Sequence, residues 1–215
     1  MRPRFVKICG VRDPIEAEMV SRYADATGVI VGCDSRREVS IADARRIMGS
    51  SKVPVYLVST KEDYGSWSAM IEGTCAEYIQ VHSTKMRARD LARLRDEYGV
   101  HAMMAFKVPL SSTDPAEDAR KLLDEMEGYD VDKVLLDTGA GTGRLHDLDV
   151  SKIIASEREI VLAGGICPSN VKEVVSKVSP YGIDVSSGVE TDGRKSEEMM
   201  SRLCLELYED AEVSK

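Results

Sequence analysis

The chain has 215 residues, enough to bury a sizeable core and few enough for one domain. Hydrophobic residues make up 43% and charged residues 31%, an ordinary balance for a globular protein. The net charge of -8 disfavours nonspecific binding to nucleic acid or to an anionic membrane, both polyanions, and leaves room for a small anionic ligand in a local basic pocket.

Short β-rich runs alternate with longer helical patterns along the chain. FVKIC (5–9) reads as a strand and DPIEAEMVSRYA (13–24) as a helix. TGVIV (27–31) precedes SIADARRIMG (40–49), and VPVYLV (53–58) precedes KEDYGSWSAMIEG (61–73). AEYIQV (76–81) precedes STKMRARDLARLRDEYG (83–99), and HAMMAFKV (101–108) precedes DPAEDARKLLDEMEG (114–128). DKVLLD (132–137) leads through a glycine-rich loop to DLDVSKIIAS (147–156). EIVLAG (159–164) precedes PSNVKEVVSKV (168–178), and YGIDVSS (181–187) precedes SEEMMSRLCLELYED (196–210).

Eight βα units with short connections predict a parallel sheet covered by helices, closed as a single-domain (βα)8 TIM barrel over residues 1–215. A doubly wound open sheet is the structural competitor, and the regular alternation favours closure. Asp13-Pro14, Ser40, Asp114-Pro115 and Pro168-Ser169 are helix start signals, and Gly99 and Gly128 stand where C-caps belong. No stretch is apolar for long enough to span a bilayer, and Arg2 and Arg4 are not followed by a signal-peptide core, so a cytoplasmic protein is expected. The five cysteines are odd in number, widely spaced and form no CxxC pair, which argues against a disulfide framework or a zinc site.

A TIM barrel carries its chemistry at the C-terminal strand ends. Strand one ends in Cys9-Gly10, strand six in Asp137, and strands seven and eight run into AGG (163–165) and SSG (186–188). The last two loops are where barrels commonly bind phosphate. Gly164 and Gly165 let main-chain N–H groups approach an anion, and Ser186, Ser187 and Gly188 add donors from the next loop. Lys7 shares the inward side of strand one with Cys9, and a nearby cation favours thiolate over thiol. Pairing of Lys7 with an acid inside the barrel is the alternative. Asp137 at the tip of an apolar strand suits a general acid, since a carboxyl in apolar surroundings holds its proton. Asp184 is a second carboxylate, expected to support the phosphate loop. Arg36 and Arg37 are either solvated charge or a clamp for a ligand carboxylate. Cys75 and Cys204 are expected to be buried structural thiols, RARDLARLRDE (87–97) a solvated helix face, and Met199, Met200 and Leu203 core.

Six segments together resemble the phosphoribosylanthranilate isomerase family of tryptophan biosynthesis: KICG (7–10), SRREVS (35–40), IQVH (79–82), LLDTGAGTG (135–143), LAGGICPSNV (162–171) and DVSSGVET (184–191). The resemblance implies an Amadori rearrangement of N-(5′-phosphoribosyl)anthranilate, with Cys9 as general base and Asp137 as general acid. It implies Arg37 as the partner of the anthranilate carboxylate, and the Gly164-Gly165 and Ser186-Ser187-Gly188 loops as phosphate donors. Lys7, His82 and Asp184 complete the expected substrate-binding set. No cofactor or metal is implied. The expected partner is a small phosphorylated substrate, with neither nucleic acid nor membrane, on a monomer or homodimer. The loop after Asp137 is short for the family, Leu148 replaces an aromatic, and GCDSRR (32–37) lacks an aromatic-and-proline segment. These departures concern the aryl ring and lid. The ProFAR isomerase of histidine synthesis and a non-catalytic phosphate-binding barrel are the competing functions.

Overall fold

The computed structural model describes residues 2–83, 85–139 and 144–208. Within them, strands and helices alternate as β1 (Phe5–Cys9), α1 (Pro14–Val20), β2 (Ala26–Ile30), α2 (Ile41–Ser50), β3 (Val55–Ser59), α3 (Tyr64–Thr74), β4 (Tyr78–Val81) and α4 (Ala88–Tyr98). The second half continues β5 (His101–Lys107), α5 (Pro115–Glu127), β6 (Lys133–Asp137), α6 (Leu148–Glu157), β7 (Ile160–Leu162), α7 (Val171–Val178), β8 (Gly182–Val185) and α8 (Glu197–Tyr208). The eight strands pair in parallel with their sequence neighbours, and β8 pairs back to β1, closing the barrel. The open-sheet alternative is thereby excluded.

Alternation with period two divides the core into two layers. Cys9, Tyr56, Val58, Met103, Leu135 and Val161 point into the barrel. Ile8, Leu57, Ile79, Val134 and Leu136 point outward against the helices, where Met200 and Leu203 also pack. Asp13, Ser40 and Asp114 each cap a helix by accepting a main-chain N–H three residues on. Gly99 ends α4 in the left-handed conformation, and Gly128 ends α5 in a right-handed one. Exposed ion pairs such as Arg93–Glu97 lie on the outer face of α4, while Leu91 and Leu94 are buried.

Helices α1, α3 and α4 are shorter than their expected ranges, running over Pro14–Val20, Tyr64–Thr74 and Ala88–Tyr98, and further expectations differ from the structure. Helix α7 starts at Val171 rather than Pro168, because the Asn170 side chain accepts from Cys167 N–H and donates to the Gly165 carbonyl, folding 167–170 into a turn. Cys75 is exposed, since it caps α3 with a φ of 57°, and Cys204 is only half-buried. A two-stranded hairpin also follows β8, with β9 (Glu190–Thr191) antiparallel to β10 (Arg194–Lys195). Its turn residues Asp192 and Gly193 have φ of 52° and 72°, the geometry that an Asp-Gly hairpin turn favours. The expected glycine-rich loop at 140–143 and the expected extension of the last helix to 210 lie outside the described residues.

Candidate active site

A cavity of about 530 Å³ opens at the C-terminal end of the barrel. Nine of the eleven residues singled out from the sequence line it: Cys9, Arg37, His82, Asp137, Gly164, Gly165, Asp184, Ser186 and Ser187. The other two, Lys7 and Gly188, lie behind it. Gly188 sits in the tight turn 187–189, where a Cβ would overlap the Ile166 carbonyl. It shapes the loop between β8 and the hairpin rather than lining the cavity.

The floor is a chain of polar groups, buried except for the partly exposed His82. Lys7 is opposite Asp184 in the β1–β8 register, and Lys7 Nζ donates to Asp184 Oδ2 at 2.8 Å. Asp184 therefore serves the lysine rather than the phosphate loop, the alternative that the sequence left open for Lys7. Gln80 Nε2 donates to Asp184 Oδ2 at 3.4 Å and meets His82 Nε2 at 2.6 Å. With Gln80 as donor, the neutral His82 ring carries its proton on Nδ1, which lies 4.0 Å from Asp137 Oδ2. Burial pulls the His82 pKa down, and Asp137 and Asp184 only partly reverse it, so the ring is neutral near pH 7.

Cys9 lies beside this floor. Burial pushes its thiol pKa up, and the pull of Lys7 and Lys195 in the other direction does not overcome it. Of the two readings the sequence left open for Lys7, the structure shows the pairing with an acid, and part of the lysine's charge is answered by Asp184. Lys7 itself loses by burial but gains more from Asp184 and Cys9, and stays charged. Gly28, opposite Cys9 on β2, leaves the room both groups need. A Cβ there would stand 2.9 Å from Cys9 Sγ and 3.1 Å from Lys7 Nζ.

Across the cavity, Gly164 does the same for Asp137. It has a φ of 87°, and its missing Cβ would stand 2.9 Å from Asp137 Oδ1. Gly165 and Ser187 line the cavity, and among the described residues their main-chain N–H groups donate to no protein acceptor. Ser186 Oγ donates instead to the Cys9 carbonyl at 3.0 Å and ties the β8 loop to the end of β1.

The cationic wall comes from the β2 loop and the hairpin. Arg37 donates from Nε and Nη2 to the two oxygens of Glu190 at 2.6 and 3.0 Å. Arg36 and Lys195 reach the same carboxylate, each at 2.9 Å. Burial opposes the charge on Glu190, yet Arg37 and Lys195 hold its pKa at about 2. Cys33 also lines this wall and accepts from Thr60 N–H at 3.2 Å, while Leu148 packs against the outer core.

A thiol and a carboxyl thus face one cavity with a rim of glycine and serine loops and an arginine. The family model described as N-(5′-phosphoribosyl)anthranilate (PRA) isomerase matches residues 6–205. The chain belongs to this isomerase family. A member from Thermococcus kodakarensis is 54% identical over 191 residues, covering 89% of this chain and 91% of that protein. The solved phosphoribosyl anthranilate isomerase from Thermococcus kodakaraensis superposes with a TM-score of 0.90 at 50% identity, covering 95% and 98% of the two chains. A more distant isomerase was solved with reduced 1-(o-carboxyphenylamino)-1-deoxyribulose 5-phosphate. It superposes with a TM-score of 0.77 at 25% identity, covering 96% and 98%.

Four residues not singled out from the sequence also shape this isomerase-family site: Gly28, Gln80, Glu190 and Lys195, of which Gln80 and Glu190 lie inside the IQVH and DVSSGVET segments without a role of their own. Gly28 and Gln80 matter only through strand register. Glu190 and Lys195 matter through the hairpin, whose Asp192-Gly193 turn was the available signal.

Proposed function

We infer that this chain isomerises N-(5′-phosphoribosyl)anthranilate to 1-(2-carboxyphenylamino)-1-deoxyribulose 5-phosphate, a step of tryptophan biosynthesis. The observation that carries the reading is the placement of Cys9 and Asp137 on the wall of one cavity, between the free Gly165 and Ser187 N–H groups and Arg37.

Asp137 gives its proton to the furanose ring oxygen, the C1′–O bond breaks, and the anthranilate nitrogen becomes a protonated Schiff base. Cys9, as thiolate, takes the proton from C2′, and the electron pair moves to the nitrogen to give an enolamine. Transfer of a proton to C1′ with loss of the 2′-hydroxyl proton yields the ketone, so the net change is an isomerisation. The cationic Schiff base favours the thiolate beside it, which offsets the burial that raises the free thiol. Arg37 meets the anthranilate carboxylate, and Ile30 and Val58 give the ring an apolar wall. The phosphate rests on the Gly165 and Ser187 loops. His82 Nδ1 stands 4.0 Å from the Asp137 carboxyl, near enough to bias its charge but not to hydrogen-bond it, and Lys7 and Asp184 support the floor.

The enzyme is expected to act in the cytoplasm, as a monomer or homodimer. No described helix is long and apolar enough to cross a membrane.

The test is a purified-protein assay in which N-(5′-phosphoribosyl)anthranilate is supplied and its anthranilate-type fluorescence followed. Catalytic loss of fluorescence with stoichiometric formation of the carboxyphenylamino ketose supports the reading. Binding of the substrate without turnover contradicts it and favours a phosphate-binding barrel with no catalytic role.

A further inference from the structure

Glu190 stands among three cations with its side chain only 5% exposed. Its Oε1 accepts from Arg37 Nε at 2.6 Å and Lys195 Nζ at 2.9 Å, and its Oε2 accepts from Arg37 Nη2 at 3.0 Å and Arg36 Nη2 at 2.9 Å. The aliphatic stem of Arg37 is fixed as well. It crosses Gly10, where an added Cβ would stand 2.6 Å from Arg37 Cδ. Among the described residues, Arg37 Nη1 donates to no protein acceptor. The guanidinium is therefore locked along one edge and left open along the other, and it lines the cavity.

We propose that Glu190 is a positioning residue that aims the open edge of Arg37 at the substrate carboxylate, and thereby sets the preference for an aryl group bearing a carboxylate. The proposal rests on the reading of Arg37 as the carboxylate partner. A planar guanidinium recognises a carboxylate through two parallel N–H groups, so its orientation decides the strength of the contact. An unrestrained arginine loses side-chain freedom when it binds, whereas Arg37 has already lost it in the free protein.

Charge alone predicts the opposite sign. Glu190 is the single anion among three cations, so its neutralisation makes the wall more positive and strengthens binding of any anion. Positioning predicts weaker binding of the carboxylated ligand. Glu190→Gln separates the two effects, because the amide keeps the shape of the carboxylate but turns an NH₂ group toward donors of the cationic cluster.

The experiment measures dissociation constants of the full-length protein for two ligands. One is reduced 1-(o-carboxyphenylamino)-1-deoxyribulose 5-phosphate, and the other is its phenylamino counterpart without the carboxylate. The expected result is that wild type prefers the carboxylated ligand, that Glu190→Gln lowers this preference about tenfold, and that the affinity for the phenylamino ligand stays within about twofold. In an Arg37→Ala background, Glu190→Gln is expected to change the preference no further. Glu190→Asp keeps the charge but shortens the reach, and it is expected to lower the preference too. If the glutamine variant does not fold, the aspartate variant decides. An unchanged or increased preference in the folded variant, or equal weakening for both ligands, overturns the proposal. If Arg37→Ala leaves the preference intact, the carboxylate clamp falls and this proposal with it. If Arg37→Ala lowers it while neither Glu190 variant does, only the positioning role falls.

Discussion

Lys7 and Asp184 stand opposite each other on β1 and β8, and their charges meet at 2.8 Å with the lysine side chain wholly buried. Two charges taken out of water are tolerated only because each answers the other and Gln80 adds a further donor. The same pair determines how much of the lysine's charge is left for Cys9.

Breaking the pair from one side leaves an uncompensated buried charge. Asp184→Asn is expected to lose about 3–5 kcal/mol of stability in urea unfolding. Adding Lys7→Met in the same chain is expected to recover most of that loss. A single variant as stable as wild type contradicts the account of the floor.

Gly28 and Gly164 clear space for Cys9 and Asp137, the proposed base and acid. Ala at position 28 puts a methyl group 2.9 Å from Cys9 Sγ, and at 164 it does so 2.9 Å from Asp137 Oδ1, with a positive φ adding strain. Each variant is expected to lower kcat at least about tenfold, since small misplacements of a reacting group are costly. Steady-state kinetics with unchanged kcat in a folded variant contradicts the packing described here.

The thiol's environment is readable by alkylation. Burial raises the Cys9 pKa above its ordinary 9.0, so the rate of iodoacetamide modification at Cys9, followed by peptide mass, is expected to rise with pH through a midpoint above that value. Lys195 pulls in the opposite direction, so Lys195→Met is expected to move the midpoint higher still. A midpoint below 9.0 in wild type contradicts the balance of burial over charge.

His146 is buried with Nε2 2.6 Å from Ser151 Oγ, and burial lowers its pKa from 6.5 to about 4. Between these values the unfolded chain binds the proton and the folded chain does not. The stabilisation is complete above pH 6.5 and is lost as pH falls toward 4, on the order of 3 kcal/mol. Urea midpoints at a series of pH values are expected to show this fall, and His146→Gln to flatten it. An equal fall in the variant assigns the acid sensitivity to other groups.

The sequence made legible whatever depends on a residue's place along its own strand. Alternating patterns located the strands, a thiol and a carboxyl at strand tips marked Cys9 and Asp137, and paired glycine and serine loops marked the rim. What lies across the barrel was hidden. Asp184 reads as a loop support until register sets it against Lys7, Gly28 as any strand glycine until it faces Cys9, and Arg37 as a free clamp until Glu190 arrives from a hairpin more than 150 residues away. The Lys7 effect on Cys9 also needed the third dimension, because desolvation outweighs a cation whose charge is already answered.

The most direct test compares turnover and binding in Cys9→Ser and Asp137→Asn. Each is expected to reduce kcat by about 10²–10⁴-fold. Each is also expected to keep its affinity for reduced 1-(o-carboxyphenylamino)-1-deoxyribulose 5-phosphate within about threefold, since neither residue anchors the phosphate or carboxylate. Turnover close to wild type in either variant contradicts the assignment of base and acid to the two sides of this cavity.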